Sequence, residues 1–415
     1  MPKAVRRRVL VVTGSRAEFG LLRPVIDGLR ARKDVTALLA AGGSHLLAPA
    51  RTVREVASAY AIDARVPMQR AGHATRADDA LAVARGVDGF TRAIAKLRPD
   101  WVVVLGDRIE AFAAAVAGSI AGVGVCHIHG GDRAEGIADE AMRHAITKLA
   151  HLHCCATASS GERVIKLGEP PETVHVTGSP AIDGLSEIQP MSDADAAPFG
   201  DPQTVVLLHP SGLPAARERA MVYAMVCAVD EMSAGDVICL APNADAGGAI
   251  IREALEHRCA LSGRIVRYTW RADKPAAVAE QKGRDRGDAS PRLWTFVEHL
   301  PRELFLSLLK RMAASERDVG LMIGNSSAGL IEAAALGMRV VNIGPRQDGR
   351  ERCENVVDCP EAELGILGSK VDWALSLDRE GFGTHPYGDG NAGARIAALL
   401  AKTDPATWIR KRNTF

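Results

Sequence analysis

The chain has 415 residues, 47% of them hydrophobic and 24% charged, more than one ordinary core needs and comfortable for two. Fifty-one basic residues face 50 acidic ones, a net charge of +1, which excludes the broad basic field of a nucleic-acid binder. No apolar run reaches membrane-spanning length, and the one at 9–12, behind the basic start Arg6-Arg7-Arg8, is too short for a signal-peptide core, so no membrane partner is expected and the cytoplasm is the expected compartment.

Aromatic residues make up only 4%, and Ala, Val, Leu and Gly are plentiful, which suits buried parallel strands covered by helices. In chain order, 9–13 reads as a strand, 21–30 as a helix, 35–41 as a strand and 78–97 as a long helix. Residues 101–105 form a strand ending in Gly106-Asp107, followed by a helix at 110–121, a strand at 123–129 and a helix at 138–149. Strands at 151–157 and 173–178 complete this half. The segment 186–203 breaks the rhythm with Pro190, Pro198 and Pro202 among Asp193, Asp195 and Asp201, and reads as an interdomain linker.

The alternation then restarts with a strand at 204–208, a helix at 215–232 and a strand at 237–240. Residues 274–292 are polar, with Gly283, Gly287, Pro275 and Pro291, and read as an exposed loop or insertion, or equally as a frayed helix. Strands at 320–323 and 339–343 flank a helix at 330–336, and 391–402 reads as a final helix. The predicted fold class is α/β: two Rossmann-like doubly wound domains, 1–185 and 204–390, facing a central cleft. The remaining residues, 391–415, carry a helix expected to pack back towards the first domain.

Eight cysteines, none in a C-x-x-C pair, read as reduced and mostly buried. His151 and His153 alternate as on a strand without an adjacent carboxylate, so no metal is expected.

In doubly wound sheets ligands bind beyond the carboxyl ends of the strands, so the loops there are where chemistry is sought. The first loop, Thr13-Gly14-Ser15-Arg16-Ala17-Glu18, lacks the G-x-G-x-x-G spacing of a dinucleotide site. Gly14 can admit backbone N–H groups to an anion that Arg16 clamps; a plain turn with a surface arginine is the alternative. Asp107 follows a buried strand and points to the cleft, or caps the next helix, or does both.

Between Cys126 and His144 one strand-loop-helix unit carries His127, His129, Asp132, Glu135, Asp139 and Glu140 around three glycines. Asp139, Glu140 and Arg143 share the first turns of its helix, so one face presents acid and guanidinium together. In the second half, His209 ends the first strand, where a histidine is better placed for a site than for structure. Gly324-Asn325-Ser326-Ser327-Ala328-Gly329 leads into a helix whose hydroxyls and N–H groups suit phosphate. Glu332 can accept both hydroxyls of a ribose, or act through the helix end alone.

Taken together, these segments resemble the UDP-N-acetylglucosamine 2-epimerase family, in particular its hydrolysing branch. The matching pieces are TGSRAEFGLLRPVI from Thr13, GSHL from Gly43, VLGDR from Val104, HIHGGD from His127 and DEAMRHAITKLAHLH from Asp139. LHP from Leu208, PNADAGG from Pro242, GNSSAGLIEAAALG from Gly324, VVNIGPRQDGR from Val340 and PYGDG from Pro386 follow in order, over nearly the whole chain. Residues 274–292 and 313–318 look like insertions relative to the family.

The resemblance implies a fold like that of B-type glycosyltransferases, a UDP-sugar substrate held mainly by the second domain, no cofactor, no metal and a homodimer or homotetramer. It implies that UDP leaves while a base takes the C2 proton, giving a 2-acetamidoglucal. Water then adds, giving N-acetylmannosamine and UDP, or UDP adds back, giving UDP-N-acetylmannosamine. Asp107 and Glu140 match family catalytic positions, with Asp139 or Asp132 sharing the work and His209 assisting departure of UDP. Arg16, Ser44, His45, Arg143, Asn243, Asn325, Ser326, Ser327, Gly329 and Glu332 fall on substrate-binding stretches.

One departure stands out: His129 occupies the place where several members carry a glutamate in H-x-E-G-G or H-x-E-A-G, so His129, Asp132 or a neighbour must take over that glutamate's work. The competing readings are a glycosyltransferase that uses a UDP-sugar donor, and a nucleotide-sugar sensor without turnover; the dense acids from Asp132 to Glu140 favour the epimerase.

Overall fold

The computed structural model describes residues 6–414 apart from 49–51, 73–74, 135–138, 233–234, 244–246, 263, 272–273, 281–292, 316–318 and 413, and apart from the side chains of 139 and 262–280. It divides into two units, one of residues 1–133, 138–184 and 386–415, the other of residues 134–137 and 185–385.

The first unit is a parallel sheet of seven strands among the described residues. They are β1 (Arg7–Thr13), β2 (Val35–Gly42), β3 (Ala64–Val66), β4 (Trp101–Leu105), β5 (Gly124–Ile128), β6 (Leu152–Cys155) and β7 (Val174–Val176), in the order β3-β2-β1-β4-β5-β6-β7. The order reverses at β1, between β2 and β4, the topological switch of a doubly wound sheet. The helices are α1 (Arg16–Arg30), α2 (Val53–Ala59), α3 (Arg76–Leu97), α4 (Ile109–Ile120), α5 (Asp139–Leu149) and α6 (Ala158–Lys166). Val9 to Val12 and Trp101 to Val104 are buried on both faces of the sheet, which is why these strands read as unbroken apolar runs. Each large apolar side chain so buried contributes ~1.5–3 kcal/mol.

The second unit carries α7 (Asp193–Ala196), α8 (Ala215–Glu231), α9 (Gly248–Ser262), α10 (Arg302–Ala313), α11 (Ser327–Leu330), α12 (Glu332–Ala335) and α13 (Leu367–Ser376). Its strands are β8 (Pro202–Leu207), β9 (Asp236–Leu240), β10 (Arg264–Arg271), β11 (Lys274–Glu280), β12 (Trp294–Val297), β13 (Leu321–Gly324), β14 (Arg339–Ile343) and β15 (Val356–Cys359). They run β11-β10-β12-β9-β8-β13-β14-β15, parallel except for the antiparallel β10–β11 pair.

Chain order ends with α14 (Ala392–Lys402), which belongs to the first unit and packs on α1. Asp183 caps it, accepting from the backbone of Ala392 at 3.0 Å and Gly393 at 2.6 Å. The two helices approach closely through glycine: a Cβ on Gly393 would lie 2.5 Å from the Pro24 carbonyl carbon.

Three expectations are corrected. Residues 274–280 form a strand, β11, hydrogen-bonded along β10, rather than a loop or frayed helix; 281–292 lie outside the described residues. The segment 186–203 is not a bare linker. It holds α7 and the start of β8, and it is bonded to α10: Met191 N donates to Ser307 O at 2.9 Å, and Arg311 pairs with Asp193 at 2.7 Å. The single helix at 330–336 is two short ones, α11 and α12, broken at Ile331, whose φ of −107° and ψ of −69° stay right-handed but depart from regular α-helix values.

All eight cysteines are free thiols; six are buried, and Cys227 and Cys353 are partly so. No described helix is long and apolar enough to cross a membrane, and no three His, Cys, Asp or Glu side chains among the described residues are grouped to hold a metal ion.

Candidate active site

The ends of β4 and β5 carry the densest polar constellation of the first unit. After β4 the chain turns at Gly106, with φ +74°, and reaches Asp107. Asp107 does not cap α4, since Arg108 holds that position without a side-chain cap bond. Its Oδ2 is instead gripped by the guanidinium of Arg143 from α5. Arg143 is 3% exposed and also donates to the carbonyl of His129 at 3.1 Å. The acid-and-guanidinium face expected on α5 therefore turns inward at Arg143, while Glu140 stays half-buried beside His144 at 3.3 Å. The side chain of Asp139 lies outside the described residues.

His129 is one of two described non-glycine residues with positive φ, at +64°. That conformation costs ~1–3 kcal/mol and is maintained by its surroundings. Its Nδ1 lies 2.9 Å from Asp132 Oδ2 and its Nε2 3.0 Å from Ser179 Oγ, so both ring nitrogens are engaged. Asp132 accepts a second bond at 2.9 Å from Ser160, and Arg163 steadies the turn through the carbonyl of Gly131 at 2.6 Å. His129 and Asp132 are both buried. The result is a chain, Asp132–His129–Arg143–Asp107, in which the histidine ring is held by the aspartate while its backbone carbonyl holds the arginine.

Neighbouring His127 is fully buried, and burial first of all pushes its pKa down to about 3. It is therefore neutral with one N–H. The bond at 2.7 Å to the carbonyl of Gly106 can only be donated, so Nε2 carries the proton and Nδ1 accepts from Thr147 Oγ1 at 3.2 Å.

The loop after β1 is built around two buried carboxylates. Ser15 caps α1, and Glu18 Oε2 accepts from Gly14 N at 2.9 Å. Glu110, from α4, accepts from Ser44 N at 3.2 Å and from Gln69 at 2.7 Å, with Arg108 3.4 Å from its other oxygen. A Cβ on Gly14 or Gly43 would sit 2.4 Å or 2.2 Å from Glu110, so only glycine lets these two loops close on it. Ser44 Oγ donates to Gly14 O at 2.7 Å, and the buried ring of His45 lies between Thr13 and Thr52 at 3.0 and 2.8 Å. Burial, aided by the charge of Arg108, lowers the His45 pKa to about 4. Ser44 and His45 thus organise the loop, and Arg16 opens α1 beside them.

Burial, and then the charge of Glu110, raise the Glu18 pKa from 4.5 to about 8. Between those values the folded chain keeps a proton that the unfolded chain has lost, so stability falls as pH rises through this window and levels off above it. The slope reaches about 1.4 kcal/mol per pH unit at most. Glu18→Gln keeps an oxygen for Gly14 N and removes the penalty. Thermal unfolding should show the variant gaining on the parent from pH 5 to about pH 8 and no further above it; a gap that does not change with pH would contradict this assignment.

In the second unit, Asn325 organises the strand ends. Its side chain accepts from His209 N at 2.7 Å and donates to His209 O at 2.8 Å, bridging β13 to the loop after β8. Gly324, with φ +148°, allows this approach: a Cβ there would lie 2.1 Å from Leu207 O. His209 Nδ1 accepts from Asn243 N at 3.2 Å, which leaves the ring proton on Nε2 as a donor. Ser326 caps α11 and Ser327 begins it. Gly329 packs α11 on β14, since a Cβ there would meet Val340 at 2.9 Å. Glu332 is buried and paired with Arg302 at 2.7 Å.

Sequence reasoning passed over Ser160, Ser179, Glu110 and Glu18. Ser179 follows β7, so the strand-end rule that pointed to Asp107 and His209 would have reached it too. The other three have no local signal.

Two α/β units, with their polar loops at the carboxyl ends of the strands, define the B-type glycosyltransferase-like fold class. A family profile described as UDP-N-acetylglucosamine 2-epimerase matches residues 27–401. A "UDP-N,N'-diacetylbacillosamine 2-epimerase (hydrolyzing)" of Legionella pneumophila is 33% identical over 406 residues, 96% of each chain. A "UDP-N-acetylglucosamine 2-epimerase" of Neisseria meningitidis serogroup B is 27% identical over 97% of this chain and 96% of its own. Among solved structures, the Methanocaldococcus jannaschii UDP-GlcNAc 2-epimerase in complex with UDP-GlcNAc and UDP superposes with a TM-score of 0.74 at 16% identity, over 95% of this chain and 100% of the other. This chain belongs to the UDP-N-acetylglucosamine 2-epimerase family.

Proposed function

We propose that the protein is a hydrolysing 2-epimerase of a UDP-2-acetamido sugar, working in the cytoplasm. The observation that carries this reading is the buried chain Asp132–His129–Arg143–Asp107 at the ends of β4 and β5. It presents a carboxylate held by one oxygen, next to a helix that carries a second acid, Glu140. Inversion at C2 needs two such groups, one to take the proton from C2 and one to return a proton to the opposite face. Departure of UDP builds positive charge at C1, which carboxylates stabilise.

In this reading Asp107, through Oδ1, and Glu140 form the acid–base pair. The C2–H electrons become the C1–C2 double bond, and the C1–O electrons leave with UDP. Water then gives its oxygen to C1 and loses a proton to the base while the acid returns a proton to C2, which yields the free 2-epimer as its cyclic hemiacetal. His129 does not act as the base: Asp132 and Ser179 occupy its ring nitrogens, and it positions Arg143 instead. Within the second unit His209 donates from Nε2 to a diphosphate oxygen, the N–H groups and hydroxyls at Ser326 and Ser327 hold phosphate, and Glu332 receives the ribose hydroxyls. Arg16 of the first unit holds phosphate as well.

The hydrolysing outcome is supported by the activity for which the Legionella relative is named. That relative also leaves two sugars to compare, N-acetylglucosamine and N,N'-diacetylbacillosamine. Incubation with each UDP-sugar in D2O, followed by NMR, should give UDP and a free 2-epimer with deuterium at C2. A UDP-linked 2-epimer would replace water by UDP in the second step. Products without deuterium at C2 would sink epimerisation and favour sugar transfer.

A further inference from the structure

Glu169, between α6 and β7, is a carboxylate 1% exposed that precedes its strand, whereas Asp107 and Asp132 follow theirs. It is enclosed by His153 at 3.1 Å, Lys148 at 2.6 Å and Lys411 at 2.7 Å. Burial disfavours its charge, yet hydrogen bonds from His153, Lys148 and Lys411 outweigh that and hold its pKa at about 2. A buried charge of this kind persists only because its partners are in place.

Lys411 does more than neutralise it. The segment that follows α14 brings its ammonium to the last turn of α5, where it donates to the carbonyls of Lys148 at 2.8 Å, Thr147 at 3.4 Å and Ala150. The final carbonyls of a helix lack partners within the helix, and its C-terminal end favours a cation. One ammonium therefore closes the end of α5 and ties it to Glu169.

The other end of α5 faces the chemistry. Arg143 reaches from it to Asp107 and to the His129 carbonyl. Thr147, in the same last turn, holds His127, whose Nε2 donates to Gly106, the residue before Asp107. Two short routes thus run from the turn held by Lys411 to Asp107, one along α5 to Arg143 and one through Thr147, His127 and Gly106.

We propose that Lys411 is a positioning residue for catalysis: by fixing the C-terminal turn of α5 and Glu169 it sets the aim of Arg143 and the turn that presents Asp107. It never touches the sugar. The idea rests on the epimerase reading for its kinetic consequence but not for its structural one. A small misplacement of reacting groups costs up to about 100-fold in rate without weakening binding.

The side chain of Lys411 is 23% exposed, so a small amine can reach its place. Lys411→Ala should lower kcat by about 10- to 100-fold with KM within about twofold, and ethylammonium should restore several-fold of the loss. Lys411→Arg, which keeps a cation and the fold, should retain more activity than Lys411→Ala. Hydrogen–deuterium exchange, read without substrate, should speed up at the amides of 143–150 in Lys411→Ala and return with ethylammonium. A Lys411→Ala protein with unchanged kcat and unchanged exchange in α5 would overturn the proposal, as would a loss of kcat that follows only the folded fraction and ignores the amine. Should the parent turn over no UDP-sugar, the epimerase reading fails, and the exchange experiment alone decides the role of Lys411.

Discussion

Asp107→Asn is expected to cut kcat by about 100- to 10,000-fold, the range lost when a general acid or base is removed. The substitution keeps the shape of the side chain and removes its charge and its basicity. Arg143, 3% exposed, then loses its carboxylate and keeps the His129 carbonyl. A buried guanidinium deprived of its counter-charge destabilises the fold by about 3–5 kcal/mol in the extreme case. Asp107 is partly open to water, at 18% of its side chain, so the loss should fall below that range. Affinity for UDP, measured by calorimetry, should stay within about twofold, since the groups assigned to UDP are on other loops. A variant with kcat within about tenfold of the parent would remove Asp107 from the mechanism.

The sheet architecture was legible because parallel strands buried on both faces are near-continuous apolar runs, as in Trp101 to Leu105. The strand-end rule then pointed to Asp107, His129 and His209 as candidates without any contact being known. Two kinds of feature escaped. Strand β11, Lys-Pro-Ala-Ala-Val-Ala-Glu, lies at the edge of its sheet, where polar residues and proline are tolerated, so its hydropathy resembles that of a loop. The helix expected at 330–336 runs across Ile331 because Ala and Leu favour helix locally, whereas the structure has α11 at Ser327–Leu330 and α12 at Glu332–Ala335.

The site shows the same division. The acids of the Asp132 to Glu140 stretch were visible as a cluster, but clustering does not say which way a side chain turns. Arg143 reads as a substrate-binding guanidinium on a helix face, and it is buried against Asp107 and the His129 carbonyl. His129 looked like a replacement acid–base group, and its ring is occupied by Asp132 and Ser179, residues 3 and 50 positions away. Glu110 and Lys411 act over separations of 66 and 263 residues, to Ser44 and to Lys148, which no local pattern encodes.

The pairing of His129 with Asp132 leads to the second large effect. His129→Ala takes one hydrogen-bond partner from the buried Asp132 carboxylate, which keeps Ser160, and unfolding in urea should show a loss of about 1–3 kcal/mol, the range for a buried polar group that loses a partner. Removal of the positive-φ strain offsets little of this, since alanine is strained there as well. The double variant His129→Ala/Asp132→Ala should recover a large part of the stability, because the stranded charge is gone; the coupling between the two sites should reach about 1–3 kcal/mol. Turnover should not recover with it. With neither side chain present, the 129–132 turn whose carbonyl holds Arg143 keeps only its backbone bonds and Arg163, and Asp107 loses its aim. Stability and activity therefore separate in the double variant, which distinguishes a positioning histidine from one that merely fills the core. If the double variant is no more stable than His129→Ala, the two side chains are not coupled. If it regains turnover, the His129 ring has no part in aiming Arg143.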